Sequence, residues 1–209
     1  SPVGKLDFSN NPDLERIDCS NSQITQLDIR PLKELSVLYC ADNALSHLDV
    51  SQNAKLSLLD CSSNLLNSLD LSRNIKLMEV YCNDNKLTSL NLKDNPLLYQ
   101  LYCQNNKLEN LDVSKNSKLK VLHCWGNRLL MLDLESNDNL GNIICGQHVN
   151  LTAQWDEKNQ EYRLILPGVT RNKIKLQDFE CSEGTLLDES SATFVFQKSR
   201  RSKNIYYIY

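Results

Sequence analysis

The chain has 209 residues, 23 Lys+Arg against 26 Asp+Glu, a net charge of −3 and 41% hydrophobic residues. That near-neutral balance argues against a nucleic-acid binder, which carries a marked basic excess. No run of 18 apolar residues is present, so no transmembrane helix is expected, and the length allows one or two domains.

In chain order, Ser1-Pro2-Val3-Gly4 opens without an initiator Met, so a trimmed start without its targeting segment is expected. Leu6-Asp7-Phe8-Ser9-Asn10-Asn11 then matches the Leu-Asp-Leu-Ser-x-Asn segment of later units, so the stack begins mid-repeat. From Leu14 onward a cysteine returns every 21 residues, at Cys19, Cys40, Cys61, Cys82, Cys103, Cys124 and Cys145. A fixed period of this size is the signature of a stacked-repeat architecture.

Apolar columns run through the repeat. Five positions before the cysteine stand Leu14, Leu35, Leu56, Leu77, Leu98, Leu119 and Leu140; two before it stand Ile17, Leu38, Leu59, Val80, Leu101, Leu122 and Ile143. Further columns follow the cysteine, such as Leu45, Leu48 and Val50 after Cys40. One unit cannot bury its apolar face alone, but stacked units bury a continuous core between neighbours. The segment around each cysteine alternates apolar and polar, as a half-buried strand does. Stacking makes a parallel sheet with rungs about 4.8 Å apart. The Leu-Asp-Leu segment reads as a short extended or turn-like stretch on the opposite side, because 21 residues leave little room for a helix.

Two asparagine columns, Asn43 to Asn127 and Asn53 to Asn137, fit buried loops, since Asn donates and accepts at once. The acidic column Asp28, Asp49, Asp70, Asp112 and Asp133, with Asn91 among them, is expected to bond the turn backbone rather than to hold calcium. Eight cysteines invite a disulfide reading. Seven on one column would place Cβ atoms about a strand spacing apart, above the roughly 3.8 Å a disulfide prefers. They are expected to be free thiols acting as small hydrophobes. No C-x2-C spacing suggests zinc.

The motif L-x-x-L-x-C-x-x-N-x-L-x-x-L-D-L-S-x-N resembles the repeats of bacterial leucine-rich-repeat proteins of the internalin kind, above all the cysteine-containing 21-residue repeats of internalin J-like proteins. The resemblance covers residues 6 to 148. It implies a solenoid with a parallel β-sheet on the concave face and short extended or turn segments on the convex face. It also implies non-catalytic recognition or adhesion outside the bacterial cell, secreted or at the cell surface. Internalins carry a helical N-terminal cap, and nothing like it precedes Leu6.

After Asn150 the character changes. Apolar and β-branched runs at Leu151–Trp155, Tyr162–Leu166, Lys173–Leu176, Ala192–Phe196 and Ile205–Tyr209 alternate with turn signals such as Pro167-Gly168. They predict a small β-rich C-terminal cap or partial β-sandwich over 150–209, set against a solenoid of about seven repeats over 1–149. The basic stretch Lys198–Lys203 reads as a solvated hairpin turn.

Strand side chains alternate between faces, so the residues flanking each cysteine point out of the core. Tyr39, Tyr81, Tyr102, His123 and Trp125 form an aromatic stripe there, with Val37, Leu58 and Val121 beside it. Tyr and Trp dominate binding hot spots, so these eight residues are the candidate ligand-binding face. A protein partner is expected, with a glycan or a spacer role as alternatives. Aromatic residues also fill strands for propensity alone. Catalytic, metal-binding and cofactor signatures are absent: there is no G-x-S-x-G, H-E-x-x-H or G-x-G-x-x-G.

Overall fold

The computed structural model describes residues 6–8, 10–129, 132–134 and 136–144, together with the backbone of six strands between 154 and 208. Seven three-residue strands lie one per repeat: β1 Arg16–Asp18, β2 Val37–Tyr39, β3 Leu58–Asp60, β4 Glu79–Tyr81, β5 Gln100–Tyr102, β6 Val121–His123 and β7 Asn142–Ile144. They form one parallel sheet in sequential order. Pairing is strictly in register, so Ile17, Leu38, Leu59, Val80, Leu101, Leu122 and Ile143 stand in one row. On β2 to β6 the middle residue is buried and its neighbours are half-buried. That is the pattern of a sheet with one face on the core.

The leucine columns meet inside. Leu35, Leu56, Leu77, Leu98 and Leu119 are fully buried, as are Cys40, Cys61, Cys82, Cys103 and Cys124. No helix fills the far side of the described repeats. Turns do so, closed by bonds such as Asn53 N–H to Val50 O and Leu56 N–H to Asn53 O, both 3.0 Å.

Asparagine solves the problem that such turns create. A loop buried between rungs leaves backbone groups without water, and each must find a partner. The Asn64 side-chain amide donates to the carbonyls of Cys40 (3.0 Å), Cys61 (3.2 Å) and Ser62 (3.0 Å). Its Oδ1 accepts from the Leu45 amide. Asn43, Asn85, Asn106 and Asn127 do the same on their own rungs. The second ladder works on the other side: Asn74 Nδ2 donates to Val50 O and Asn53 O, and Asn95 to Leu71 O and Asn74 O.

The chain reverses after each cysteine through a left-handed residue: Asn21, Asp42, Ser63, Asp84, Asn105 and Gly126 all have φ between 51° and 67°. Asn and Asp tolerate that region better than other non-glycine residues. The acidic column bonds the turn backbone as expected: Ser51, Ser72 and Ser114 N–H donate to Asp49, Asp70 and Asp112 at 2.9–3.0 Å. These bonds from the serines hold the three carboxyls below their ordinary value.

The cysteine expectation needs one correction. Cys19, Cys40, Cys61, Cys82 and Cys103 are free and buried, but Cys124 is disulfide-bonded. The Cβ preference used to exclude bridging is not a prohibition. A Cα separation near one rung, about 4.8 Å, lies within the range disulfides span. The expected seventh ladder member, Cys145, lies outside the described residues.

Beyond the solenoid, β8 Gln154–Asp156, β9 Glu161–Ile165, β10 Glu180–Cys181, β11 Thr185–Asp188, β12 Thr193–Gln197 and β13 Tyr207–Ile208 follow. An antiparallel sheet runs β11-β12-β9-β8, and β10 pairs with β13. Four of the five expected runs overlap strands. The fifth, Lys173–Leu176, lies outside the described residues, as does the Lys198–Lys203 turn. β10 and β11 were not anticipated, because Thr185-Leu-Leu-Asp188 is too short for alternation to register.

Candidate binding face of the sheet

The outer face of the seven-stranded sheet collects the first and third residues of every strand. Of the eight candidates, Val37, Tyr39, Leu58, Tyr81, Tyr102, Val121 and His123 are half-buried there, and Trp125 is 38% exposed. Register decides which of them meet. Tyr81, Tyr102 and His123 occupy the same position on β4, β5 and β6. The Tyr81 and Tyr102 rings stack with centroids 4.8 Å apart and planes at 18°, and His123 lies 4.4 Å from Tyr102, tilted at 59°. The ring separations match the rung spacing, so the sheet itself spaces the stack.

The stripe is shorter than the sequence suggests. Asp60 stands between Tyr39 and Tyr81, so Tyr39 is two rungs from the stack. Its ring instead carries the Arg16 guanidinium, 4.8 Å from the centroid, a cation–π contact. Val37 and Leu58 are direct register partners, whereas Val121 pairs with Gln100 and Asn142. Trp125 follows Cys124, beyond the end of β6, and so belongs to the turn rather than to the strand row.

Polar groups tie the stack down. The Tyr81 hydroxyl donates to Glu79 Oε2 at 3.0 Å. Burial, then that bond to an anion, push its pKa up. His123 is pushed down by burial, a hydrogen bond to Asn142 opposing this in part. Its Nε2 is buried without a hydrogen-bond partner, which likewise disfavours the charged ring. The thiols beneath are inert. Burial raises Cys19 to about 11 and Cys103 to about 12, and holds Cys40, Cys61 and Cys82 well above their ordinary value. A protonated, buried thiol is neither nucleophile nor ligand. Among the described residues no group of three His, Cys, Asp or Glu side chains is placed to hold a metal ion, and no helix is long and apolar enough to cross a membrane.

Sequence reasoning passed over three features of this face and its margin. Arg16 covers Tyr39. Asp60 and Glu79 bring carboxylates beside the aromatic run. Met78 (49% exposed) and Ile75 (56% exposed) lie bare on the approach to β4. Strand alternation also puts Arg16, Asp60 and Glu79 on this face, but reading the face for aromatics and apolar groups alone hides the charges.

A parallel sheet of one strand per 21 residues, buried leucine columns and two asparagine ladders define a leucine-rich-repeat solenoid. Its free, buried thiols on successive rungs add a cysteine ladder. Among solved structures, the functional domain of InlJ from Listeria monocytogenes, described as including a cysteine ladder, is 32% identical over 70% of this chain and 38% of that one, with a TM-score of 0.57. A Leptospira interrogans leucine-rich-repeat protein (21% identity, TM-score 0.63) and an internalin, InlF, from Listeria monocytogenes (20%, 0.55) share the fold. They match 67% and 65% of this chain and 39% and 49% of their own. This chain therefore spans less than half the length of each relative. No family model matches the sequence, and neither does any curated protein. The chain is a bacterial-type leucine-rich-repeat protein with internalin J-like cysteine-containing repeats.

Proposed function

We propose that this chain is a non-catalytic extracellular recognition or adhesion module, secreted or at the cell surface, that binds a protein through the outer, concave face of its sheet. Residues 1–149 would be the recognition solenoid and 150–209 its β-rich end cap. The Tyr81–Tyr102–His123 ring stack carries the reading. It offers rigid aromatic area at low entropic cost, with Val37, Leu58, Val121 and Trp125 adding apolar surface around it. Half-exposed aromatic and apolar groups on one face are what interaction sites use. The likeness to InlJ supports a surface role, and the protonated thiols support the absence of cysteine chemistry.

The test is a binding screen of the labelled full chain against extracellular proteins and glycans, beside a variant with alanine at Tyr39, Tyr81, Tyr102 and Trp125. Protein capture lost in the folded variant is the expected result. Capture unchanged in the variant overturns the concave site. The exposed indole of Trp125 favours a second reading, stacking on sugar rings; inhibition of capture by free sugar would select it.

A further inference from the structure

Two rungs of the sheet carry the same pair of side chains, and the described residues fill only one of them. On β1 and β2, Asp18 and Tyr39 are in register, and Arg16, two residues before Asp18, lays its guanidinium over the Tyr39 ring. On β3 and β4, Asp60 and Tyr81 are in register in the same way. There the residue two before Asp60 is Leu58, and the cation–π contacts among the described residues are Arg16 over Tyr39 and Lys120 over Tyr99, not over Tyr81.

The second slot is open on the side that matters. Tyr102 covers one face of the Tyr81 ring from β5. Strand β3 lies on the other side of β4, so the remaining face of Tyr81 is turned toward Asp60. Asp60 Oδ1 accepts from the Ser62 amide and hydroxyl at 3.0 and 2.6 Å, which leaves Oδ2 for another donor. Glu79 accepts the Tyr81 hydroxyl. Neither the Arg30–Asp28 nor the Lys55–Glu34 ion pair involves Asp60 or Glu79. Around the slot the sheet face and the turns that follow it carry Asp18, Asp42, Asp60, Glu79 and Asp84, with Arg16 as the lone lysine or arginine on β1 to β6 and the three residues after each. Such a surface attracts a cationic partner and steers it in.

We propose that the slot between Asp60 and Tyr81 receives an arginine side chain of a partner protein, in the geometry that Arg16 adopts over Tyr39. A guanidinium suits it better than an ammonium. It is planar, stacks on an aromatic face, and can fork its donors to a carboxylate while doing so. The inference rests on the proposed use of the outer face and adds the chemistry of what that face selects.

The experiment titrates the full chain into fluorescein-labelled tetra-arginine, tetra-lysine and tetra-glutamate peptides, read by fluorescence anisotropy at low and physiological salt. Two slot variants accompany it. Leu58→Arg rebuilds the first slot's internal cation in the second, and Asp60→Asn removes the carboxylate charge. Asp112→Asn, in a turn on the opposite side, is the control. Tetra-arginine should bind more tightly than tetra-lysine, and each slot variant should weaken it about fivefold, with the control unchanged. Absence of tetra-arginine binding, equal binding of tetra-lysine, or equal binding by the two slot variants and the unmodified chain overturns the slot. If Leu58→Arg unfolds, as circular dichroism would show, Asp60→Asn decides alone. The broader reading is separable. Protein capture lost in the four-alanine variant while Leu58→Arg and Asp60→Asn bind tetra-arginine normally keeps the concave site and removes the slot. Unchanged protein capture by the four-alanine variant, which lacks Tyr81, removes the concave site and with it the slot's role in receiving a partner's arginine, even where tetra-arginine binds the slot.

Discussion

The Leu45 amide donates to Asn64 Oδ1, one rung further along the stack, at 3.0 Å. The same side chain donates to Cys40 O behind it and to Cys61 O on its own rung, so one asparagine fastens two repeats. Replacement by alanine leaves a buried amide and buried carbonyls unpaired, each costing about 1–3 kcal/mol where water cannot substitute. Asn64→Ala should therefore lose about 3 kcal/mol, read from the midpoint and slope of urea unfolding. Asn67→Ala, on the exposed side of the same repeat, should stay within about 0.5 kcal/mol. Similar losses at both sites would remove the ladder from the account of stability.

Gly126 holds the left-handed position that Asn105 holds one rung earlier, with φ of 67° against 54°. A Cβ at Gly126 would clash with Asn105 Oδ1. Two penalties follow from Gly126→Ala: the unfavourable φ and the clash. Together they should cost about 2 kcal/mol. Adding Asn105→Ala should return the clash part and leave the backbone part, which a double-mutant cycle separates. Gly141 has nothing within 4 Å of its would-be Cβ, so Gly141→Ala should be neutral or slightly stabilising. A Gly126→Ala protein as stable as the parent would show that the turn can relax.

Much of this fold was legible because a 21-residue period forces one local answer on every rung. Leu38, Leu59, Val80 and Leu101 point inward for the same reason, and a single pattern placed them all. The aspartate column was legible as turn chemistry, since its side chains bond amides two residues away, and the asparagine columns as partners for buried loop backbone, although their bonds reach across to the neighbouring rung. The binding face was legible only in part. Alternation put Tyr39, Tyr81, Tyr102 and His123 on one side, yet contact between rings depends on the neighbour in the next rung. Asp60 interrupts that row, and the Arg16 contact with Tyr39 joins the first position of one strand to the third position of the next. The Cys124 bridge escaped for a different reason. The spacing argument took a preferred Cβ separation as a limit, whereas the Cα range that disulfides span reaches one rung.

The free cysteines of the ladder should be chemically silent while the chain is folded. Burial disfavours the thiolate, and the thiolate is the reactive form. Cys40, Cys61, Cys82 and Cys103 are fully buried. At pH 8 a thiol-reactive aromatic disulfide should label them only as fast as the protein unfolds, and all should react promptly in denaturant. Cys19, on the first rung, is 7% exposed and its pKa is pushed up only to about 11. It should react first. Rapid native-state labelling of Cys82 would mean that the stack opens locally between rungs. Bridging of Cys124 predicts that a reductant frees one further thiol pair without disturbing the inner ladder.

His123 should give the stability of the sheet a pH dependence of its own. Burial lowers its pKa below the ordinary 6.5, and the bond to Asn142 offsets that only in part. The sign follows from proton counting. Between the folded and the unfolded pKa the unfolded chain holds a proton that the folded chain does not, so stability rises with pH across that window. The contribution is complete above about pH 6.5 and is lost as pH falls toward the folded value. The turn carboxylates Asp49, Asp70 and Asp112 act in a lower window, since their folded pKa values lie below 3.8. Unfolding free energy measured from pH 7.5 to 5 should therefore fall, and His123→Gln should flatten the fall. Proton NMR should place the His123 titration below 6.5. A titration at or above 6.5 would mean that the ring is better solvated, or better paired, than its tilted contact with Tyr102 and its unpartnered Nε2 indicate.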